Sequence, residues 1–239
     1  MREPAELWIY LSTSPLLWLC LTIYVWIVAD KVSAMLRRHP LANPVLIAIA
    51  VLSALLSGTG AEYRRFFEGA QFIHFLLGPA TVALAIPLYR QWQHVRRLFV
   101  PLVAALAVGS ITAVMSVVFL GHLFELPRDV LISFLPKSAT AGVAMSVSES
   151  LGGNPSLTAV LVILTGIFGA VLVTPLMNLL GIRDYAARGF AVGLTSHGIG
   201  TARAFNVDPM AGLFAGIAMA LNAIATATIV PIVAKLSLS

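Results

Sequence analysis

The sequence predicts an all-α membrane protein, a polytopic helical bundle of about six to eight spans, with broken or re-entrant helices near Pro79, Pro136 and Gly198. Three observations carry this reading. Apolar residues make up 59% of the 239 and charged residues 10%, against roughly a quarter charged in an ordinary soluble domain. Mean hydropathy is +0.94. The apolar residues also gather into segments near the length that a helix needs to cross hydrocarbon. So little charge cannot cover a soluble enzyme, a disordered chain or a nucleic-acid module. The net charge of +5 and pI of about 9.8 come from basic residues in short loops, where positive-inside orientation accounts for them.

The first span is Leu7–Val28. A secretory leader competes for this segment, but Arg2 is followed by Glu3 and Glu6, and no small-x-small site precedes Asp30-Lys31. We read it as a retained span. Its one cysteine, Cys20, has no internal partner and reads as a small packing residue. Further spans follow at Leu41–Ser57, Ala70–Tyr89, Leu98–Leu120, Val130–Ser148, Leu157–Leu180, Gly189–Phe205 and Met210–Leu236. Leu41–Ser57 is short for a crossing, and Val130–Ser148 and Gly189–Phe205 are weakly apolar and interrupted. No loop reads as a linker or a soluble module, so residues 1–239 are expected to form a single membrane domain.

Lys31, Arg37 and Arg38 lie in the first loop, and Arg90, Arg96 and Arg97 in the third. Lys and Arg favour the cytoplasmic side, which puts these loops inside and the N-terminus outside. A cysteine replacing Gln93 in a Cys20-free background should therefore resist an impermeant thiol reagent in intact cells. Labelling there would reverse the orientation.

In hydrocarbon every backbone polar group needs a partner, so a broken helix survives only where it is buried in protein or lines a wet cavity. Many carriers place substrate at such breaks. The first interruption is Leu77-Gly78-Pro79-Ala80-Thr81, where proline removes a donor and fits the start of a new helix. This makes Pro79 and Thr81 candidate site residues, whereas His74, one turn earlier, reads as packed.

The second interruption is Phe134-Leu135-Pro136-Lys137-Ser138-Ala139-Thr140. A lysine beside a proline in mid-segment costs at least about 2.5–3.5 kcal/mol on insertion scales. If Pro136 starts a half-helix, the N–H groups of Ser138, Ala139 and Thr140 point with the Lys137 ammonium and make a carboxylate site. A lysine snorkelling to the interface is the alternative.

The third interruption is Thr195-Ser196-His197-Gly198-Ile199-Gly200-Thr201-Ala202-Arg203. Two glycines, a histidine and several hydroxyls do not make a lipid-facing helix. No strand precedes Gly198 and Gly200 and no Lys-Ser/Thr follows, which excludes a phosphate loop. No acid stands to orient His197 for a Ser196 nucleophile, so hydrolysis is excluded. Ser196, His197, Gly198, Gly200, Thr201 and Arg203 remain as ligand-binding candidates, with His197 placed to hydrogen-bond a ligand or relay a proton. Lys137, His197 and Arg203 are expected to share one wet cavity. Asn222, Thr226 and Thr228 polarise the last span. Interhelical hydrogen bonding is their ordinary role, and Asn222 joins the candidate ligand set. No catalytic residue, metal site or cofactor is indicated.

These motifs resemble a family. Leu135-Pro136-Lys137-Ser138, Ala144-Met145, Ser148-Glu149, Gly152-Gly153, Pro155 to Val160 and Thr165-Gly166-Ile167 form one run; Arg188-Gly189, Gly193 and Ser196 to Arg203 form another; Gly78 to Tyr89 is the third. Together they are similar to the LrgB/CidB family of bacterial inner-membrane proteins, antiholin-like modulators of autolysis. The similarity covers about residues 10–236. It implies two functions. One is holin-like control of murein hydrolase activity and lysis, together with a small LrgA/CidA-type membrane partner. The other is carriage of small monocarboxylates such as pyruvate, glycolate or glycerate; the plastid glycolate/glycerate translocator contains a similar region. The resemblance implies a multi-pass protein of the inner membrane that is not an enzyme. Large apolar helix faces leave room for a homo-oligomer. The mid-membrane lysine favours the carrier, because a holin needs no carboxylate site.

Overall fold

The computed structural model describes residues 14–39, 42–83, 86, 89 and 92–237. Ten helices and no strand occur among the described residues. They are α1 (Pro15–Met35), α2 (Pro44–Thr59), α3 (Tyr63–Ala83), α4 (Trp92–Arg97), α5 (Phe99–Leu123), α6 (Arg128–Phe134), α7 (Ala141–Ser150), α8 (Pro155–Leu179), α9 (Tyr185–Val207) and α10 (Pro209–Ser237). Four of these, α1, α5, α8 and α10, are long and apolar enough to cross a membrane. Their exposed side chains include rows of large apolar residues, such as Val160, Leu164, Phe168, Leu172 and Leu176 along one face of α8. That is the surface expected against lipid rather than water.

Helix starts follow a local rule. Asn43 and Asn154 each cap a helix whose first residue is a proline, accepting from the N–H of Val45 (2.9 Å) and from those of Ser156 and Leu157 (3.0 and 3.1 Å). Asp208 does the same before Pro209, accepting from Met210 and Ala211. The cap oxygen satisfies an orphan donor, and proline at the first position has no N–H to lose.

The chain forms two compact units, Met1–Ile86 and Pro87–Ser239. In the first, α1 packs on α2 and α3. Trp18 is fully buried and meets Phe66 edge-on at 5.9 Å, and a Cβ at Gly69 would lie 2.2 Å from the Pro15 carbonyl oxygen. The first span does not end at Val28. The part before Ser14 lies outside the described residues, and the helix continues through Asp30 and Lys31 to Met35. Arg38 reaches back to the Asp30 carboxylate with both terminal nitrogens, Nη2 to Oδ2 at 3.3 Å, so the acid is compensated where apolarity runs out.

The break expected at Pro79 is not there: α3 runs without interruption through Pro79 to Ala83. Proline inside a membrane helix removes one backbone bond, and neighbouring groups can absorb that loss.

The second unit is built around α9 and α10, with α9 before His197 running alongside α10 in the same direction: Gly189 meets Ala211 and Gly193 meets Ala215. Phe190, Leu194, Leu213, Phe214 and Ala218 form its core with Leu102 of α5. The segment Val130–Ser148, expected as a weak span, is two short helices separated by six non-helical residues, 135–140. The Thr158 hydroxyl lies 3.1 Å from the Ser133 carbonyl and 2.8 Å from the Ser148 hydroxyl. Residues fifteen apart would stand about 22 Å apart along one helix, so the segment doubles back as a re-entrant hairpin. Its turn is held by buried hydroxyls: Ser133 donates to the Asp129 carbonyl and accepts from the Asn154 N–H at 2.8 Å.

The third expected break is present, one residue before Gly198. His197 has φ 41 and ψ −134 inside α9. A non-glycine residue held there costs about 1–3 kcal/mol and needs the surroundings to enforce it.

Candidate functional site

Two breaks of the second unit face one recess. A cavity of about 530 Å³ is lined by Phe134 and Lys137 from the re-entrant hairpin, by Leu161, Leu164, Thr165, Phe168 and Gly169 of α8, and by Thr195 and Ser196 of α9. Phe168 at its rim is 62% exposed. Among the described residues Lys137 supplies the only charge in this lining. Among the described residues no carboxylate lies within ion-pairing distance of its ammonium. Thr165 and Thr195 place hydroxyls on the other walls, and the fully buried Ser196 lies behind Thr195, its Oγ 3.2 Å from Thr195 Oγ1. A lone cation among hydroxyls, bounded by two phenylalanines and two leucines, fits a small anion with a compact body.

The backbone around Lys137 differs from expectation. Pro136 does not begin a half-helix. The Lys137 N–H donates to the Phe134 carbonyl and the Ala139 N–H to the Pro136 carbonyl. The hairpin therefore turns at Pro136, and α7 starts only at Ala141, after an extended Thr140 with no side-chain cap bond. The amides of Ser138 to Thr140 are not the first turn of a helix, and Ser138 is buried behind the lysine. A turn is preferred because a helix through residues 137–140 would carry Lys137 on a regular surface and lose the fold-back that the hydroxyls hold.

The α9 residues divide. Ser196 packs against α8 at the recess wall because Gly169 makes room: a Cβ there would lie 1.6 Å from Ser196 Oγ, and the side chain is fully buried. His197 turns the other way. It is 6% exposed, and its Nε2 lies 2.9 Å from the Val162 carbonyl oxygen, with its ring against Gly166, whose Cβ would lie 2.7 Å from Cε1. Thr201 donates to the His197 carbonyl at 2.8 Å, satisfying a group at the kink. Gly200 permits the bend, since its Cβ would meet the Val192 carbonyl at 2.8 Å and Ser196 Cβ at 2.6 Å. Gly198 has open space, with Met219 Sδ the nearest atom at 3.9 Å. Arg203 is buried on a separate small pocket with Arg188, Tyr185 and Val173, so it does not line the recess of Lys137. Asn222 is 1% exposed and hydrogen-bonds Ser110, Ser138 and Leu194. Pro79 and Thr81 lie on α3 in the first unit, and the Thr81 side chain lies outside what is described.

The recess also contains residues that sequence reasoning did not place in the site: Phe134, Leu161, Leu164, Thr165, Phe168, Gly169 and Thr195. One signal was present. Thr165 and Gly169 sit four apart on an otherwise apolar helix, which marks one face. The choice between helix packing and a cavity wall is not written in that spacing.

Comparison with known proteins agrees on the family. The model of the LrgB-like family matches residues 22–236. YwbG of Bacillus subtilis is 35% identical over 215 residues, covering 89% of this chain and 94% of that protein. The holin-like protein CidB of Staphylococcus epidermidis is 31% identical over 216 residues, covering 90% and 94%. CidB of Staphylococcus aureus is 30% identical over 217 residues, covering 91% and 94%. No solved structure matches the chain.

Proposed function

The chain belongs to the LrgB-like family, and from that premise we propose that it is a secondary carrier, or carrier subunit, for a small monocarboxylate such as pyruvate, glycolate or glycerate across the bacterial inner membrane. The observation that carries this reading is Lys137: an ammonium without an acidic partner among the described residues, held by a helix break on a recess shared with Thr195 and Ser196. A fixed cation in a partly desolvated recess attracts an anion far more strongly than it would in water. The lining has room for one carboxylate and a small polar body, with the Thr165 hydroxyl on the wall facing Lys137. We propose further that the chain works as one membrane domain with a small LrgA/CidA-type partner.

A second reading has its own support. Two of the relatives reported above are named holin-like proteins. In that reading the chain modulates murein hydrolase activity and lysis, and the lysine serves assembly or gating.

Uptake of labelled pyruvate, glycolate and glycerate into proteoliposomes, with and without the small partner, separates the two. Saturable uptake of at least one, with an encapsulated dye retained, is the expected result. Dye leakage without uptake of any of the three would establish the holin-like reading instead.

A further inference from the structure

Asn222 lies in the middle of α10 and meets both helix breaks of the second unit from behind. Its Nδ2 donates to the Ser138 carbonyl at 3.1 Å and to the Leu194 carbonyl at 2.9 Å, and its Oδ1 accepts from the Ser110 hydroxyl of α5 at 2.8 Å. Both carbonyls need a partner from elsewhere. Ser138 lies in the non-helical turn. The Leu194 carbonyl would in a regular helix accept from Gly198, on the far side of the His197 kink. One carboxamide has two donors and so serves both at once, while Ser110 holds the acceptor end in place. Each tied carbonyl belongs to the residue beside a recess side chain: Ser138 follows Lys137, and Leu194 precedes Thr195.

We propose that Asn222 is a positioning residue that sets the separation of Lys137 from Thr195 and Ser196 across the recess. It touches no ligand. It ties the two backbone segments that carry the ligand-facing side chains, so the mouth keeps one width. The consequence for transport rests on the anion-carrier reading; the geometric claim does not.

The test uses the full chain with Cys20→Ser, Lys137→Cys and Thr195→Cys, reconstituted in lipid, and a short bifunctional thiol reagent. With Asn222 present the two cysteines should cross-link rapidly. Asn222→Leu should slow the cross-link by about tenfold, the scale of leaving buried carbonyls unpaired. In the chain that retains Lys137 and Thr195, the same substitution should raise KM for pyruvate by a similar factor with little change in maximal rate. Asn222→Asp keeps the shape and the Ser110 contact but loses the paired N–H donors, so it should behave like Asn222→Leu and replaces it if that variant does not fold. An unchanged cross-linking rate in a folded variant overturns the proposal, as does loss of the fold with both substitutions. If the wild-type chain carries none of the three carboxylates and the cross-link is still slowed, the carrier reading fails and the positioning role stands.

Discussion

Lys137→Gln should reduce carboxylate uptake to the background of empty liposomes while expression and membrane insertion stay near normal. Among the described residues the lysine is the only charge on the recess wall. Removing one partner of a desolvated charge pair typically costs about 2–5 kcal/mol, which is about thirtyfold in affinity or more. Insertion is directed by the long apolar helices α1, α5, α8 and α10, none of which contains residue 137. Gln also lowers the insertion cost of the hairpin, since it carries no charge. Lys137→Arg is the sharper probe. It keeps the charge but replaces a compact ammonium with a planar fork, between Phe134 and Phe168, and should leave only a small part of the uptake. Wild-type rates in the Gln protein would falsify the anion site, and the lysine would then be one that snorkels to the interface.

The largest loss of stability should come from Gly189→Ala combined with Gly193→Ala. A Cβ at Gly189 would stand 2.0 Å from the Ala211 carbonyl oxygen, and one at Gly193 would stand 2.1 Å from that of Ala215. The pairs are four residues apart on both helices, so they describe a continuous line of backbone contact between α9 and α10. No side chain can swing away to make room; the helices must separate. Overpacking costs about 1–3 kcal/mol per site, and here the damage spreads, because α10 also carries Asn222. The melting temperature in detergent should fall by several degrees for each substitution and further for the pair. Gly142→Ala is the control. Its Cβ meets nothing within 4 Å, and alanine is the better helix former by about 0.8–1 kcal/mol, so that variant should melt at or above wild type. Equal melting of Gly193→Ala and Gly142→Ala would mean that the close approach of α9 and α10 does not exist in the membrane.

Membrane class, helix content and family were legible from residue types and their order. Hydrocarbon admits so few backbone solutions that 59% apolar residues in long segments leave helices as the simplest one. Three helix starts obey a local rule, Asn43-Pro44, Asn154-Pro155 and Asp208-Pro209, each carrying cap and first residue together, although apolarity alone drew those spans from Leu41, Leu157 and Met210. Lys137 was legible as a candidate because a charge in an apolar segment is conspicuous on any transfer scale.

Residue order did not decide which interruption becomes a break. Pro79 and Pro136 make the same local change, yet α3 passes through one and the chain folds back at the other. The difference lies in distant partners. At Pro136 the fold-back is held by Thr158 and by Asn222, twenty-two and eighty-six residues away in sequence. Within the run from Ser196 to Arg203, side-chain direction was equally hidden. Ser196 is buried against Gly169 at the recess wall, His197 faces the Val162 carbonyl, and Arg203 sits on another pocket, because the kink at His197 redirects the residues that follow it. Asn222 entered as a ligand candidate and stands as a tie between two breaks. Composition and local order therefore specify that this chain folds as membrane helices and where three of them begin. Only tertiary structure specifies which orphaned carbonyls find donors, and so where a helix can break and which side chains share a cavity. Those donors come from residues tens of positions away, and no local pattern encodes them.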